Sequence, residues 1–363
     1  MIFKGKNIKS RTWSINFLFI LSTMLFFTAF INYYIDPFWF FKHQNNLNSK
    51  QKVGDERHNK LNDLYNNGLQ NYNGLLLGNS RSTYINQFKF YNDFKIYNFA
   101  TSSMDLIEYN SYIQYLKKIK DSEFKYIILG LDFHNTNLNK NKLVKDPEYY
   151  IEKVEDPFYL FKTLLSYDTV ENSLKNISYS FKDKKIYYDR NNIHYSETID
   201  KIKLEKRQRN GIIQLTKNFM NSNYQWDSNY KKRLIELKKN NPETKFIIFT
   251  SPISSELIYS IIINGEKLDE YYNWLKDTIE VFNEVSHYMF LNDITTNLNN
   301  YFDSSHYYPF IGDIIAKDLS SLHKYSKHKI ILNKSNLDTF FNDFKNNINK
   351  FKSKYNIEKR NFN

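Results

Sequence analysis

The stretch "GLLLGNSRSTYI", Gly74 to Ile85, reads as a short buried strand running into a small polar turn. Its apolar residues do not alternate with polar ones, which is the pattern of a strand covered on both faces, as in a parallel sheet. Four further runs of the same kind follow, each bounded by turn residues: "FKIYNFA" (94–100), "KYIILGLDF" (125–133), "KFIIFTS" (245–251) and "HYMFLND" (287–293). Helical patterns lie between them. Asp105 to Ile119 separates the second and third runs. Leu268, Tyr272, Leu275, Ile279 and Phe282 recur at three- and four-residue steps before the last, and Gly312 to Leu322 follows it. Alternating strands and helices predict an α/β fold built on a parallel sheet.

The gap between the third and fourth runs, about 134–244, is too long for a simple crossover. It holds helical stretches such as "DPFYLFKTLLSYDTVENSLKNI" and a helix from Ser228 into Lys239. It is expected to be an inserted helical subdomain forming one wall of a cleft. Residues 36–70 read as a juxtamembrane stalk with a first helix near Asn59–Asn66, and 71–325 as the main domain. In 326–363, a C-terminal basic amphipathic helix and tail, Leu337, Phe340, Phe341, Phe344, Ile348 and Phe351 form a stripe of the kind that packs on a core. There is no internal repeat.

The chain is 363 residues long, 41% hydrophobic and 18% aromatic, enough to build a sizeable core. It has no cysteine, which excludes disulfides, thiolate catalysis and zinc sites built on Cys. The net charge of +12 is confined to the ends: residues 1–12 carry +4 and the segment from Lys317 onward +7, so the body between is nearly neutral. Charge in two tails suits topology signals or a membrane surface rather than a nucleic-acid groove. No nucleic-acid partner is expected.

Trp13 to Ile35, "WSINFLFILSTMLFFTAFINYYI", has no charged residue. At about 1.5 Å per residue these 23 residues reach roughly 34 Å, enough to cross a hydrocarbon core of about 30 Å. Asp36-Pro37 ends the helix, since proline disfavours helical geometry in the residue before it. Tyr33, Tyr34 and Trp39 suit an outer aromatic belt, and Trp13 the inner one. No small-x-small cleavage site follows, so an uncleaved signal anchor is expected, not a removed leader. Four basic residues precede the span, which puts 1–12 in the cytoplasm as a basic tail and everything from about residue 38 outside the cell membrane.

In open α/β sheets chemistry gathers at the carboxyl ends of the strands. Ser80 lies just past the first strand. Past the last stands "YFDSSHYYPFIGDIIAKDL", in which Asp303 and His306 are three residues apart. A serine hydroxyl becomes a useful nucleophile when an imidazole takes its proton and a carboxylate fixes that imidazole's tautomer. Asp303-x-x-His306 supplies both. Among the other histidines, His134 in "LDFHNTN" is retained as a pocket residue. No metal-ligand spacing or phosphate-cradling glycine loop is present, and neither a metal nor a cofactor is expected.

At "GNSR" (78–81) and "DSSH" (303–306) the chain resembles the SGNH/GDSL hydrolase superfamily, over about 74–133 and 245–325. The apolar helix followed by "YIDPFWFF" resembles a membrane-anchored bacterial branch associated with cell-surface polysaccharides. The resemblance implies a flavodoxin-like three-layer α/β/α sandwich with five parallel strands. It implies acyl hydrolysis or transfer, with Ser80 as nucleophile, His306 as base and Asp303 as its orienting acid. Two positions depart from the family pattern. Where a glycine is expected after the second strand, "YNFATSSMD" has Ser102 and Ser103. Where an asparagine is expected after the third, "LGLDF" has Asp132. Both feed the family's oxyanion hole. Arg81 could neutralise Asp132, donate to the oxyanion or an acidic sugar, or form a structural pair. Asn135 and Asn98 are further donor candidates.

These readings lead to a membrane-anchored, extracytoplasmic serine esterase or O-acyltransferase, with O-acetyl as the expected group, acting on a cell-envelope glycan. The rival is a catalytically inactive SGNH-like domain serving as a glycan-binding or polysaccharide-assembly module with assembly proteins as partners. A third reading has the basic C-terminal tail meeting acidic lipid or polymer.

Overall fold

The computed structural model describes residues 4–91, 93–140, 143–182, 184–196, 199–220, 222–321 and 326–355, with backbone alone for 4–9 and 352–355. The outermost residues of the 1–12 and 326–363 segments, and Leu322, lie outside the described residues. The protein is mixed α/β and divides into two compact units, Met1–Asn67 with Tyr150–Asn191, and Gly68–Tyr149 with Asn192–Asn363.

In chain order α1 (Lys4–Ile35) and α2 (Glu56–Asn67) come first, then β1 (Gly74–Leu77), β2 (Ile96–Asn98), α3 (Leu106–Lys120) and β3 (Tyr126–Gly130). The middle of the chain holds α4 (Pro147–Glu155), α5 (Tyr159–Leu164), α6 (Tyr167–Phe181), the short strands β4 (Ile186–Tyr188) and β5 (His194–Ser196), α7 (Lys201–Lys217) and α8 (Tyr230–Lys239). The last third holds β6 (Lys245–Thr250), α9 (Ser255–Tyr259), α10 (Leu268–Phe282), β7 (Glu284–His287), α11 (Pro309–Ser320), β8 (Ile330–Asn333) and α12 (Leu337–Tyr355).

In the first unit, α1 contains a 26-residue span, Ser10–Ile35, long and apolar enough to cross a membrane. It stops at Ile35 because Asp36 turns the chain with φ 49° and accepts hydrogen bonds from the amides of Phe40 (2.8 Å) and Phe41 (3.0 Å). The buried Asp36 carboxylate is ion-paired with Arg190. The stretch read as a stalk is folded: α2 buries Glu56, Arg57, His58, Asn59, Lys60 and Asn62, and Tyr188 donates to Glu56 at 2.5 Å.

In the second unit, a six-stranded sheet runs in the order β2-β1-β3-β6-β7-β8. The first five strands are parallel, with Leu75 beside Tyr97 and Ile127, Ile128 beside Ile247, and Thr250 beside His287. The apolar runs of β1 and β3 are buried throughout, as their lack of alternation predicts. Leu76, Ile128 and Phe249 join Tyr301, Tyr307, Ile311 and Ile315 in one core cluster.

Three expectations are corrected. The sheet has six strands, not five: β8 pairs antiparallel with β7 inside a segment read as helix and tail. The last parallel strand lies at 284–287, ahead of the apolar run at 287–293. Asn283, at φ 73°, turns α10 directly into it, and the amides of Tyr288 and Met289 then bond to Thr250 Oγ1 at 3.0 and 3.3 Å. Finally, α10 buries Tyr271 and Trp274 with Leu275, Ile279 and Phe282, so its inner face is rotated from the one traced through Tyr272. The stripe on α12 is buried as core at Leu337, Phe340, Phe344, Ile348 and Phe351, with Phe341 half-buried, and Phe344 stacks on Tyr271 with ring centroids 5.0 Å apart.

Candidate active site

β1 ends at Leu77, and Gly78-Asn79-Ser80-Arg81 turns into a short 3-10 helix, Ser82–Tyr84. The turn needs its glycine for packing: a Cβ on Gly78 would lie 2.2 Å from Ser82 Oγ. Asn79 Oδ1 accepts from the Arg81 amide at 3.0 Å, and Thr83 Oγ1 donates to the Ser80 carbonyl at 2.7 Å. Such local side-chain bonds define the turn and present Ser80 at its crest.

The second component is the loop that enters α11. Tyr301 and Tyr307 pair as an isolated bridge, and the Phe302 amide donates to the His306 carbonyl at 3.1 Å. Inside this tight loop Asp303 Oδ1 accepts from the amides of Ser305 and His306, both at 2.7 Å. That leaves Oδ2 for the imidazole, 2.7 Å from His306 Nδ1. The ring stacks on Phe302 at 5.6 Å, and its Nε2 lies 2.8 Å from Ser80 Oγ. α11 brings this loop close because Gly312 lets it approach the serine turn: a Cβ there would be 2.1 Å from the Tyr84 carbonyl oxygen.

The tautomer follows from the partners. A carboxylate only accepts, so Nδ1 carries the proton and Nε2 offers its lone pair to the Ser80 hydroxyl. Burial pushes the Asp303 carboxyl upward, but the hydrogen bond from His306, with those of the two loop amides, outweighs it and holds the group below its ordinary value. Asp303 is therefore the anion the arrangement requires.

The half-buried Arg81 and the buried Asp132 form an ion pair, Nη1 to Oδ2 at 3.0 Å. Asn79 Nδ2 also donates to Asp132, and Arg81 Nε donates to the Ser305 carbonyl at 3.1 Å. One guanidinium thus ties the serine turn to the histidine loop while cancelling the charge of Asp132. His134 lies beside the pair, its Nε2 3.4 Å from Asn79 Nδ2. Desolvation pushes its imidazole down to about 4, against the opposing pull of Asp132, so it is neutral at physiological pH.

These groups open on a cavity of about 250 Å³. Asn79, Ser80, Arg81, Ser103, Asp132, His134 and His306 form its polar side, and Phe133, Leu215, Phe219, Leu257, Ile261 and Met289 its apolar wall. Ser103 has φ 55°, the left-handed conformation that glycine adopts without strain, so the backbone bend of a glycine turn is kept. The Ser80 amide enters none of the hydrogen bonds described above. Two donor candidates are not at the cavity. Asn135 Nδ2 faces Asp105 at 3.2 Å, and Asn98 Nδ2 bonds the carbonyls of Ser82 (2.9 Å) and Ile85 (2.7 Å). Both brace loops beneath the site.

The structure thus gathers Ser80, His306, Asp303, Arg81, Asp132 and Ser103, and places Asn135 elsewhere. Sequence reasoning missed Asn79 as the partner of Asp132, and the apolar wall. Asn79 adjoins the serine and was within reach. Leu215 and Phe219 sit at the end of α7 and just after it with no local signal, since an apolar helix position looks the same in core and cavity. Among the described residues no group of three or more His, Cys, Asp or Glu is placed to hold a metal ion. No family model, curated protein or solved structure matches this chain.

Proposed function

We propose that the protein is a membrane-anchored, extracytoplasmic serine esterase or O-acyltransferase of SGNH/GDSL type, with a flavodoxin-like core, acting on an acylated cell-envelope glycan. The observation that carries this reading is the continuous chain Ser80 Oγ to His306 Nε2 (2.8 Å) and His306 Nδ1 to Asp303 Oδ2 (2.7 Å) at the mouth of a cavity. The parallel strand order β2-β1-β3-β6-β7 supports the flavodoxin-like assignment.

In this reaction His306 Nε2 takes the Ser80 proton as Oγ adds to the ester carbonyl. The negative oxygen that forms is held by the Ser80 backbone N–H and a donor of the Ser103 turn. His306 returns the proton to the departing sugar oxygen, leaving acyl-Ser80. Water, or a second sugar hydroxyl, then adds to the acyl carbonyl as His306 takes its proton, and His306 hands that proton to Ser80 Oγ as the acyl–Oγ bond breaks. Asp132, which would repel the oxyanion as a free carboxylate, is neutralised by Arg81.

The second reading, a glycan-binding or polysaccharide-assembly module, is favoured by one observation. The Asn79 amide, which could otherwise turn toward an oxyanion, is spent on Asp132. The test uses the full chain in detergent with chromogenic acyl esters and a fluorophosphonate probe, beside Ser80→Ala. Catalysis predicts turnover and labelling that fall at least about a thousandfold in the variant. A folded wild type that neither turns over esters nor labels at Ser80 would overturn it in favour of the binding module.

A further inference from the structure

The first unit carries an α5–α6 hairpin built inside out. α6 turns Thr169, Ser173 and Asn176 inward, while Tyr167, Leu174 and Phe181 stand in the open. On and beside α5, Phe161 is 63% and Leu165 47% exposed, and Tyr167 at the start of α6 is 80% exposed. A helix in water does the reverse, burying its apolar side chains.

The placement of the hairpin tip explains this. Asn32, a polar residue near the end of the apolar span, is 1% exposed. Its Nδ2 donates to the carbonyls of Leu164 (2.9 Å) and Ser166 (3.1 Å), and its Oδ1 accepts from Ser173 at 3.1 Å. The tip is therefore clamped at the axial level of Asn32. In the 26-residue span Ser10–Ile35, at about 1.5 Å per residue, Asn32 lies about 14 Å from the midpoint, at the edge of a hydrocarbon core with a half-thickness of about 15 Å. The other end of α5 is braced further along the chain. Tyr159 Oη lies 2.6 Å from His58 Nε2, and its ring packs on Phe40 at 5.6 Å. Lys162, beside Phe161, reaches back to Asp156 at 2.7 Å.

We propose that the α5–α6 hairpin is a second membrane contact: Phe161, Leu165 and Tyr167 insert into the interfacial zone of the leaflet in which α1 ends. The occupant of this face is phospholipid. Continuity with the exposed apolar surface of α1 selects it, and an aromatic-rich tip at that depth is the composition the interface favours. The proposal rests on α1 spanning the bilayer, and the experiment separates the two.

The chain has no cysteine, so single-cysteine variants can be spin-labelled cleanly. Full-length Leu165→Cys and Tyr167→Cys are placed in phosphatidylcholine–phosphatidylglycerol vesicles. Phe19→Cys reports the span and Tyr65→Cys the water-exposed face of α2. Accessibility of each nitroxide to oxygen and to a water-soluble nickel chelate is measured. The expected result is that the labels at 165 and 167 lose nickel accessibility and gain oxygen accessibility, to values between those of positions 65 and 19, while position 65 keeps its own. Tip labels as open to nickel as position 65, with position 19 shielded, overturn the proposal and leave the anchor standing. Nickel access at position 19 as well overturns both.

Discussion

Asp303→Asn is the most revealing substitution in the proposed site, because the loop dictates how the new amide must sit. Two backbone amides, of Ser305 and His306, point at Oδ1 at 2.7 Å each. Asparagine has one oxygen, and that oxygen must stay with the two donors. Its Nδ2 then takes the place of Oδ2, 2.7 Å from His306 Nδ1, and donates to it. The imidazole proton is forced to Nε2, which points at Ser80 Oγ and can no longer accept the serine proton. A base held in the wrong tautomer costs about 10⁴ in kcat, equivalent to about 5.4 kcal/mol of transition-state stabilisation. KM should change little, since Asp303 stands behind His306 and not in the cavity lining. The loop keeps both amide bonds, so the thermal midpoint should move by only a few degrees. The assay is kcat and KM with a chromogenic ester, with unfolding of the same preparation followed by near-ultraviolet circular dichroism. A folded Asp303→Asn protein within tenfold of wild-type kcat would refute the reasoning, because Ser80, His306 and Asp303 would then not act as a unit.

Two further outcomes concern the Arg81–Asp132 pair and His134. Arg81→Ala leaves the buried Asp132 without its cationic partner, and should destabilise the fold by about 3 kcal/mol; Arg81→Ala with Asp132→Asn should recover most of that, as read by denaturant unfolding. His134, held near 4 by desolvation, takes up its proton more readily in the unfolded chain, so its contribution is intact above about pH 6.5 and is lost as pH falls toward 4. Thermal midpoints between pH 7 and 4 should fall less steeply in His134→Gln; equal slopes would rule out the assignment.

The sheet was legible where it is buried on both faces. The runs at Gly74–Leu77 and Tyr126–Gly130, and the second half of Lys245–Thr250, are buried because parallel central strands meet side chains above and below. β8 is not legible in the sequence because an edge strand of four residues, three of them only half-buried, carries too little pattern to stand out from a basic segment. The run at 287–293 misled for the opposite reason: Tyr288 and Met289 are buried off the sheet, and burial alone does not distinguish a strand from the loop that follows it.

Ser80, Asp303 and His306 could be named from sequence because each announces itself locally, by a polar turn after an apolar run or by a carboxylate and an imidazole in one loop. The sequence alone also determined the apolar span and the absence of thiol chemistry, which depend only on composition within a window. Tertiary structure decided the rest. It closed the 2.8 Å contact between residues 226 positions apart, matched Arg81 to Asp132 and removed Asn135 and Asn98 from the cavity. It also turned the apolar face of the α5–α6 hairpin outward. Pairings of this kind depend on where the sheet and its loops bring distant backbone together, and no local pattern of side chains encodes that distance.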